Sequence, residues 1–365
     1  MTPPFRLLDI PAIDSPDDAE HGWKYEAVHR LAIANRLVVQ GNTDQVPSVQ
    51  SFIADRASQL YQEQQWVLAV QGPQDAPQEV GWAWVGLPIY EDLDKAQIQM
   101  VVHPEMRCRG IGSALLAWGE DLIAQAGRTL IFSGATYGTS DDHEPYLITE
   151  QGTTAPIEAP CVCFPRKRGY EVAQTERRSV LTVPLEADLA GRLMAQTEPY
   201  TSDYLLHTWF CEIPEEWKDS FVRLKETFSV DTPQGTVEFD QEVWNRDRVD
   251  RMVQEILDQG DVFLMTVAEH IASGELAGFT ELRWPRESGG EAASQWFTLV
   301  SREHRGHRLG MWMKLVNTEE LTIRRPEIRR VHTENAQENA HMLAINIAMG
   351  FQPNGGIALM TKNLS

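Results

Sequence analysis

The stretch that most restricts how this chain folds is Val101-Val102-His103-Pro104-Glu105-Met106-Arg107-Cys108-Arg109-Gly110-Ile111-Gly112-Ser113, because a second version returns later as Leu299-Val300-Ser301-Arg302-Glu303-His304-Arg305-Gly306-His307-Arg308-Leu309-Gly310-Met311. Each starts as an apolar strand end, passes through a basic, glycine-bearing turn and runs into apolar residues at helical spacing. Such a turn aims several backbone N–H groups, with the positive end of a helix behind them, at one point in space. That point suits phosphate oxygens. Two copies predict a duplicated anion-binding domain, not a solenoid of short repeats.

The flanking pattern repeats in the same order. In the first half, strands are expected over 66–70, 80–87 and 96–102, the last stopped by Pro104. A helix over 112–126 carries Leu115, Leu116, Leu122 and Ile123 on one side and ends at Gly127, and a strand follows over 129–134. In the second half, strands over 261–267, 276–282 and 295–300 precede a helix over 310–322 and a strand over 329–333. Residues 170–183 read as a hairpin-like stretch, and 215–227 and 246–257 as amphipathic helices. These elements divide the chain into a first domain over 1–185, a linker helix over 186–200 and a second domain over 201–365.

At 365 residues, with 42% hydrophobic and 23% charged residues, each half is long enough for its own core. No apolar run reaches bilayer length, and Met1–Arg6 lacks a signal-peptide pattern, so a cytoplasmic protein is expected. The four cysteines, Cys108, Cys161, Cys163 and Cys211, form no CxxC pair and have no histidine at zinc spacing, so no metal is expected. A formal net charge of −21 argues against nucleic acid or an anionic membrane as partner, although Arg305, His307 and Arg308 form a local basic cluster. The acidic remainder favours a cationic acceptor such as an amine.

The element carrying Arg107-x-x-Gly110-x-Gly112, set in its strand–helix context, resembles the acyl-CoA-binding motif of the GNAT superfamily of N-acyltransferases. The resemblance covers nearly the whole chain and is weakest over the first sixty residues and over 137–160. It implies an α/β fold of two tandem GNAT-like domains, each a mixed, mostly antiparallel central sheet flanked by helices, similar in arrangement to tandem acetyltransferases of the mycothiol synthase kind. It implies acetyl-CoA as the cofactor. Met100, Val101 and Val102 would then contact pantetheine, and Arg107, Cys108, Arg109, Gly110, Ile111, Gly112 and Ser113 the pyrophosphate. In the second copy Thr298, Leu299 and Val300 would take the first role, and Arg305, Gly306, His307, Arg308, Leu309, Gly310 and Met311 the second. Arg308 stands where the first glycine is expected, which requires right-handed dihedrals there. Downstream, 333–342 leads into 345–351 and resembles the family's Asn-bearing turn and last helix. Asn335 and Asn339 either flank the CoA arm or serve as caps. The first half keeps only a remnant of this segment in 164–170, so its acceptor side is expected to be reduced.

Acyl transfer from a thioester to an amine needs the amine deprotonated and the carbonyl polarised. The family often uses a third-strand Glu and a last-helix Tyr. Here the strands offer Gln97, Gln99 and Gln295, and the Tyr positions hold Pro165 and Asn346. Glu281 and Glu334 are the candidate bases, and Asn346 the candidate to orient an acceptor. His103 and His304 read as solvent-facing turn residues. Two functions fit: an acetyl-CoA-dependent N-acetyltransferase for a small-molecule or peptide amine, monomeric or homodimeric, or a non-catalytic acyl-CoA-binding or scaffold protein with degenerate sites.

Overall fold

Apolar runs and small residues at fixed spacing shape the elements of the first half. The computed structural model describes residues 5–58, 61–149, 152–231, 237, 239–286 and 289–364, with backbone alone at 228–231. Strand β1 (Arg6–Asp9) is followed by helices α1 (Gly22–Gln40) and α2 (Val49–Ala57). Buried Tyr25, Val28 and Leu31 give α1 its core face, and Ser48 caps α2 by accepting from the Ser51 N–H. Then come β2 (Gln62–Gln71), β3 (Gln78–Pro88), β4 (Lys95–Val102), α3 (Ile111–Gln125) and β5 (Leu130–Tyr137). Helix α3 buries Leu115, Leu116 and Ile123 of the expected stripe, leaves Leu122 half-buried and adds Ile111 at its start. A small hairpin, β6 (Tyr146–Ile148) and β7 (Thr154–Pro156), leads to the short helix α4 (Pro160–Arg166).

The second half repeats the series. Strand β8 (Glu171–Thr182), helix α5 (Ala187–Thr197) and strand β9 (Tyr204–Phe210) precede α6 (Lys218–Asp231) and α7 (Arg246–Asp258). Next are β10 (Asp261–His270), β11 (Glu275–Pro285), β12 (Ala292–Val300), α8 (Leu309–Arg324), β13 (Arg330–Ala336), α9 (Ala340–Met349) and β14 (Gln352–Asn363). Residues 170–183 are not a hairpin: β8 is one continuous strand, because no turn residue interrupts its alternation. The register between β11 and β12 shifts after Glu281, and the extra residue, Trp296, is pushed outward to 53% exposure.

The chain forms two compact units that do not coincide with its halves. Unit 1 holds Met1–Thr175, Gly235–Val237 and Gly355–Ser365, and its strands run in the order β1-β2-β3-β4-β5-β14. Unit 2 holds Glu176–Gln234 and Glu238–Asn354, with strand order β8-β13-β12-β11-β10-β9. Thus β14 from the end of the chain pairs antiparallel with β5, and 176–182 of β8 pairs with β13. Each unit completes its sheet with a strand that the other half of the sequence supplies. In each, one β-pair is parallel and the rest of the ladder is antiparallel. Among the described residues no helix is long and apolar enough to cross a membrane, and no His, Cys, Asp and Glu side chains form a group that could hold a metal ion.

Gly81 on β3 and Gly278 on β11 occupy matching positions, opposite Val102 and Val300. A Cβ at Gly81 would lie 2.8 Å from the Val101 carbonyl, and at Gly278 2.5 Å from the Leu299 carbonyl, with α3 or α8 side chains behind. Backbone cannot yield as a side-chain tip can. Gly81→Ala and Gly278→Ala are each expected to destabilise by about 2 kcal/mol or more, Gly278→Ala the more severely. Gly191→Ala in α5, where the added methyl meets open space, is expected to stabilise by about 0.5–1 kcal/mol. Urea unfolding midpoints of the three variants check the order.

Candidate active site

Each basic turn puts two residues, spaced two apart, into the left-handed region. They are Cys108 (φ 60°) and Gly110 (φ 87°) in the first, Gly306 (φ 87°) and Arg308 (φ 55°) in the second. The right-handed conformation expected at Arg308 is not adopted. Arg308 caps α8 in the same left-handed conformation in which Gly110 caps α3. The path of the turn dictates the dihedral, and arginine bears a strain of about 1 kcal/mol to meet it. Cys108 bears the same strain at the other position, so each turn combines one glycine with one strained side chain. Neither cap residue offers a side chain to the first N–H groups of its helix, which leaves those donors to a ligand.

The strands before the turns come apart from their parallel partners. Between β4 and β5 the register runs only from Lys95↔Leu130 to Gln97↔Phe132, although β4 continues to Val102 and β5 to Tyr137. Between β12 and β13 it ends at Gln295↔Thr333. In unit 1 the gap opens into a cavity of about 800 Å³. Met100, Val101, Val102, Arg107, Cys108, Gly110, Gly112 and Ser113 line it, whereas Ile111 packs in the core and Arg109 is exposed. Helix α1, Phe52 of α2, Trp82 and the β5–α4 segment wall the rest of it. Arg107 donates to Asn35 Oδ1 at 2.8 Å, tying the turn to α1. Arg168 donates to Ser113 Oγ at 2.7 Å with its guanidinium 3.8 Å from the Phe164 ring centre, which brings a second cation to the start of α3.

No family model and no curated protein matches the sequence. Solved structures do match the fold. A tandem GNAT protein from the clavulanic acid biosynthesis pathway is similar at a TM-score of 0.72 and 21% identity, over 98% of this chain and 98% of that one. A GCN5-related N-acetyltransferase from Sphaerobacter thermophilus gives a TM-score of 0.60 at 15% identity, over 98% and 95%. The Saccharomyces cerevisiae N-myristoyltransferase, solved with bound myristoyl-CoA, gives 0.54 at 10% identity, over 100% and 80%. The chain has the tandem GNAT fold.

In the first GNAT unit, groups that carry no motif complete the cavity. Asp141, in the loop after β5, is the one carboxylate among the described residues that line it, and Asn35, Arg36 and Arg168 supply further polar groups. Cys161 also faces it, but burial, and then the Asp141 charge, push its thiol up to about 12, so it stays protonated and is a poor nucleophile. An Asp within an irregular loop has no spacing that sequence reading could use. Arg168 lies in the remnant 164–170, where the Gly-aromatic ending was the visible signal.

In the second GNAT unit many of the expected residues are engaged with other groups of the protein. Glu281 is 1% exposed and ion-paired with Arg283. Glu334 pairs with the buried Arg178 at 2.9 Å. Asn339 caps α9, accepting from the Met342 N–H at 3.1 Å. Asn346 Nδ2 donates to Asn335 Oδ1 at 2.6 Å, and Asn346 Oδ1 accepts from Lys314 at 2.6 Å. Leu299, Leu309 and Met311 are buried in the cores, Thr298 bonds Thr280 at 2.8 Å, and Arg305 donates to the Val300 carbonyl at 3.2 Å. Arg308 reaches Gln196 at 3.4 Å, and His307 Nδ1 sits 3.1 Å from the His304 carbonyl. His304 is not a solvent-facing turn residue. It is half-buried, 2.9 Å from the Tyr204 hydroxyl, and burial together with His270 and His307 lowers its pKa.

Lys314 matches Leu116 in position after the turn, and burial lowers its pKa to about 7. The unfolded lysine holds its proton up to about pH 10.4, so between about 7 and 10 the unfolded state binds more protons. Stability therefore rises with pH across that window, by at most about 1.4 kcal/mol per pH unit from this group. Lys314→Met is expected to remove that contribution, so the unfolding free energy of the wild type should rise steadily relative to that of the variant from about pH 7 to 10. Urea titrations along the pH series measure it.

Proposed function

We propose that the protein is an acyl-CoA-dependent N-acyltransferase, with acetyl-CoA as donor and a small-molecule or peptide amine as acceptor, and that the reaction runs in unit 1. One observation carries this reading: the uncapped start of α3, the left-handed turn and the β4–β5 gap all open into a single cavity of about 800 Å³. The N–H groups of residues 108–113 hold the pyrophosphate, helped by the charges of Arg107 and Arg168. Met100, Val101 and Val102, past the end of the parallel ladder, offer free strand edge to the pantetheine arm. The acceptor nitrogen attacks the thioester carbonyl carbon. The C–N bond forms, the amine proton passes to the Asp141 carboxylate, and the C–S bond breaks to release CoA as thiolate. Lodging the amine in the cavity beside the thioester supplies the rest of the rate by proximity.

Glu281, Glu334 and Asn346 then serve the packing of unit 2, since their polar groups already have partners there. The second turn keeps the same backbone path, so residues 298–300 and 305–311 remain able to receive a second CoA. A protein that binds CoA without chemistry is the other reading, and turnover decides between them.

Acetyl-CoA consumption against a panel of amines is the test. Gly112→Trp, whose added side chain runs into Phe164 from a Cβ at 3.3 Å, is expected to abolish turnover, while Gly310→Trp leaves most of it. Asp141→Asn should lower kcat by about 100-fold or more with little change in KM for acetyl-CoA. Tight CoA binding with no turnover on any amine would sink the enzyme reading. An unchanged kcat in Asp141→Asn would remove Asp141 as the base.

A further inference from the structure

We propose that Gln99 is the residue that sets which acyl chains the donor site accepts, its carboxamide closing the reacting end of the β4–β5 gap so that only short acyl groups fit. The proposal rests on the reading that acyl-CoA occupies this gap. If the turn holds pyrophosphate and Val102, Val101 and Met100 follow the pantetheine arm inward, the next residue along β4 is Gln99. Each strand residue adds about 3.3 Å, so Gln99 stands where the thioester and its acyl group arrive.

Its side chain is not free to swing aside. In the amide orientation that satisfies both groups, the Gln99 nitrogen donates to the Gly134 carbonyl at 3.2 Å, and its oxygen accepts from the Gly134 N–H at 2.9 Å. The ladder between the two strands has already ended at Gln97↔Phe132. One carboxamide thus stands in for a missing peptide partner and supplies both bonds that Gly134 lacks on that side. A buried or half-buried peptide group left without them costs about 1–3 kcal/mol, so the plug is held in place by more than contact. Gly134 matches this use, because a Cβ there would press within 3.3 Å of the carboxamide. With both of its atoms bonded to Gly134, Gln99 forms a wall and takes no part in proton transfer. Small residues follow on β5, Ala135 and Thr136, which also line the cavity and leave room beside the carboxamide for a short acyl group.

Calorimetric affinities for CoA and for acetyl-, propionyl-, butyryl- and hexanoyl-CoA test the idea on the intact protein, independent of turnover. Wild type should bind acetyl-CoA best and lose affinity from butyryl-CoA onward. Gln99→Ala should bind CoA itself as before and gain about fourfold per additional accommodated methylene, moving the optimum to propionyl- or butyryl-CoA. Gln99→Asn, which keeps the amide but is one methylene shorter, should move the optimum by one carbon and guards against a misfolded alanine variant. A wild type that binds hexanoyl-CoA as tightly as acetyl-CoA overturns the proposal. So does a folded Gln99→Ala with an unchanged chain-length profile, the result expected if Gln99 merely braces the strands. Failure to bind CoA or any of its thioesters defeats the acyl-CoA reading itself, and this proposal with it.

Discussion

The early end of the parallel ladders governs both units. Three registered pairs join β4 to β5 and four join β12 to β13, after which the strands diverge with their facing N–H and C=O groups unmatched. Backbone polar groups away from water must find partners, so a gap of this kind is stable only if side chains or a ligand fill it. In unit 1 Gln99 serves one residue of β5 and the rest opens into a cavity. In unit 2 polar side chains bond one another and nearby backbone: Gln295 donates to the Glu281 and Phe297 carbonyls at the β11–β12 bulge, and Asn335, Asn346 and Lys314 form a chain from β13 through α9 to α8. The same architectural break thus borders an open cavity in unit 1 and a network of polar side chains in unit 2.

What the sequence revealed divides along the range of the interactions involved. The turns, the strand–strand–strand–helix–strand order and the doubled fold were legible, because glycines at left-handed positions and periodic apolar residues leave local marks. Arg308 was misjudged for the converse reason. Its left-handed dihedral is imposed by the path between the 3-10 turn at Arg302–His304 and helix α8, and nothing in an arginine announces it. Helix α1 leaves a weaker mark: Tyr25, Val28 and Leu31 have helical spacing, but exposed Leu37 and Val38 blur the stripe. The exchange of β8 and β14 left no mark at all. A strand reads alike whichever partner it finds, and these partners are far away in sequence. Asp141 and Arg168 reach the cavity wall through position in space alone.

Comparing matched positions shows how the units diverged. From Gly81 and Gly278 onward, Trp84 in β3 corresponds to Glu281 in β11, and after the turns Leu116 in α3 corresponds to Lys314 in α8. Trp84 packs against a cluster in which Trp66, Trp82 and Phe52 stack with ring centres 5.2, 5.8 and 6.1 Å apart, and the unit 2 positions matching Trp66 and Trp82 hold Met265 and Phe279. In unit 2 Glu281 lies with Arg283 and close to Lys225, whose ammonium sits 4.5 Å from the Phe297 ring and whose pKa burial lowers to about 8.

Buried charges of this kind are poor investments for stability alone, since removing ions from water costs several kcal/mol each and well-packed apolar residues do as well or better. Each is held by a named partner, Lys314 by Asn346 and Glu281 by Arg283. The cavity of unit 1 instead sets Arg107, Asp141 and Arg168 among apolar residues. The two copies of one fold are thus not equivalent: their turns share left-handed positions at Cys108 and Gly110 and at Gly306 and Arg308, and the difference lies in the side chains behind the gap.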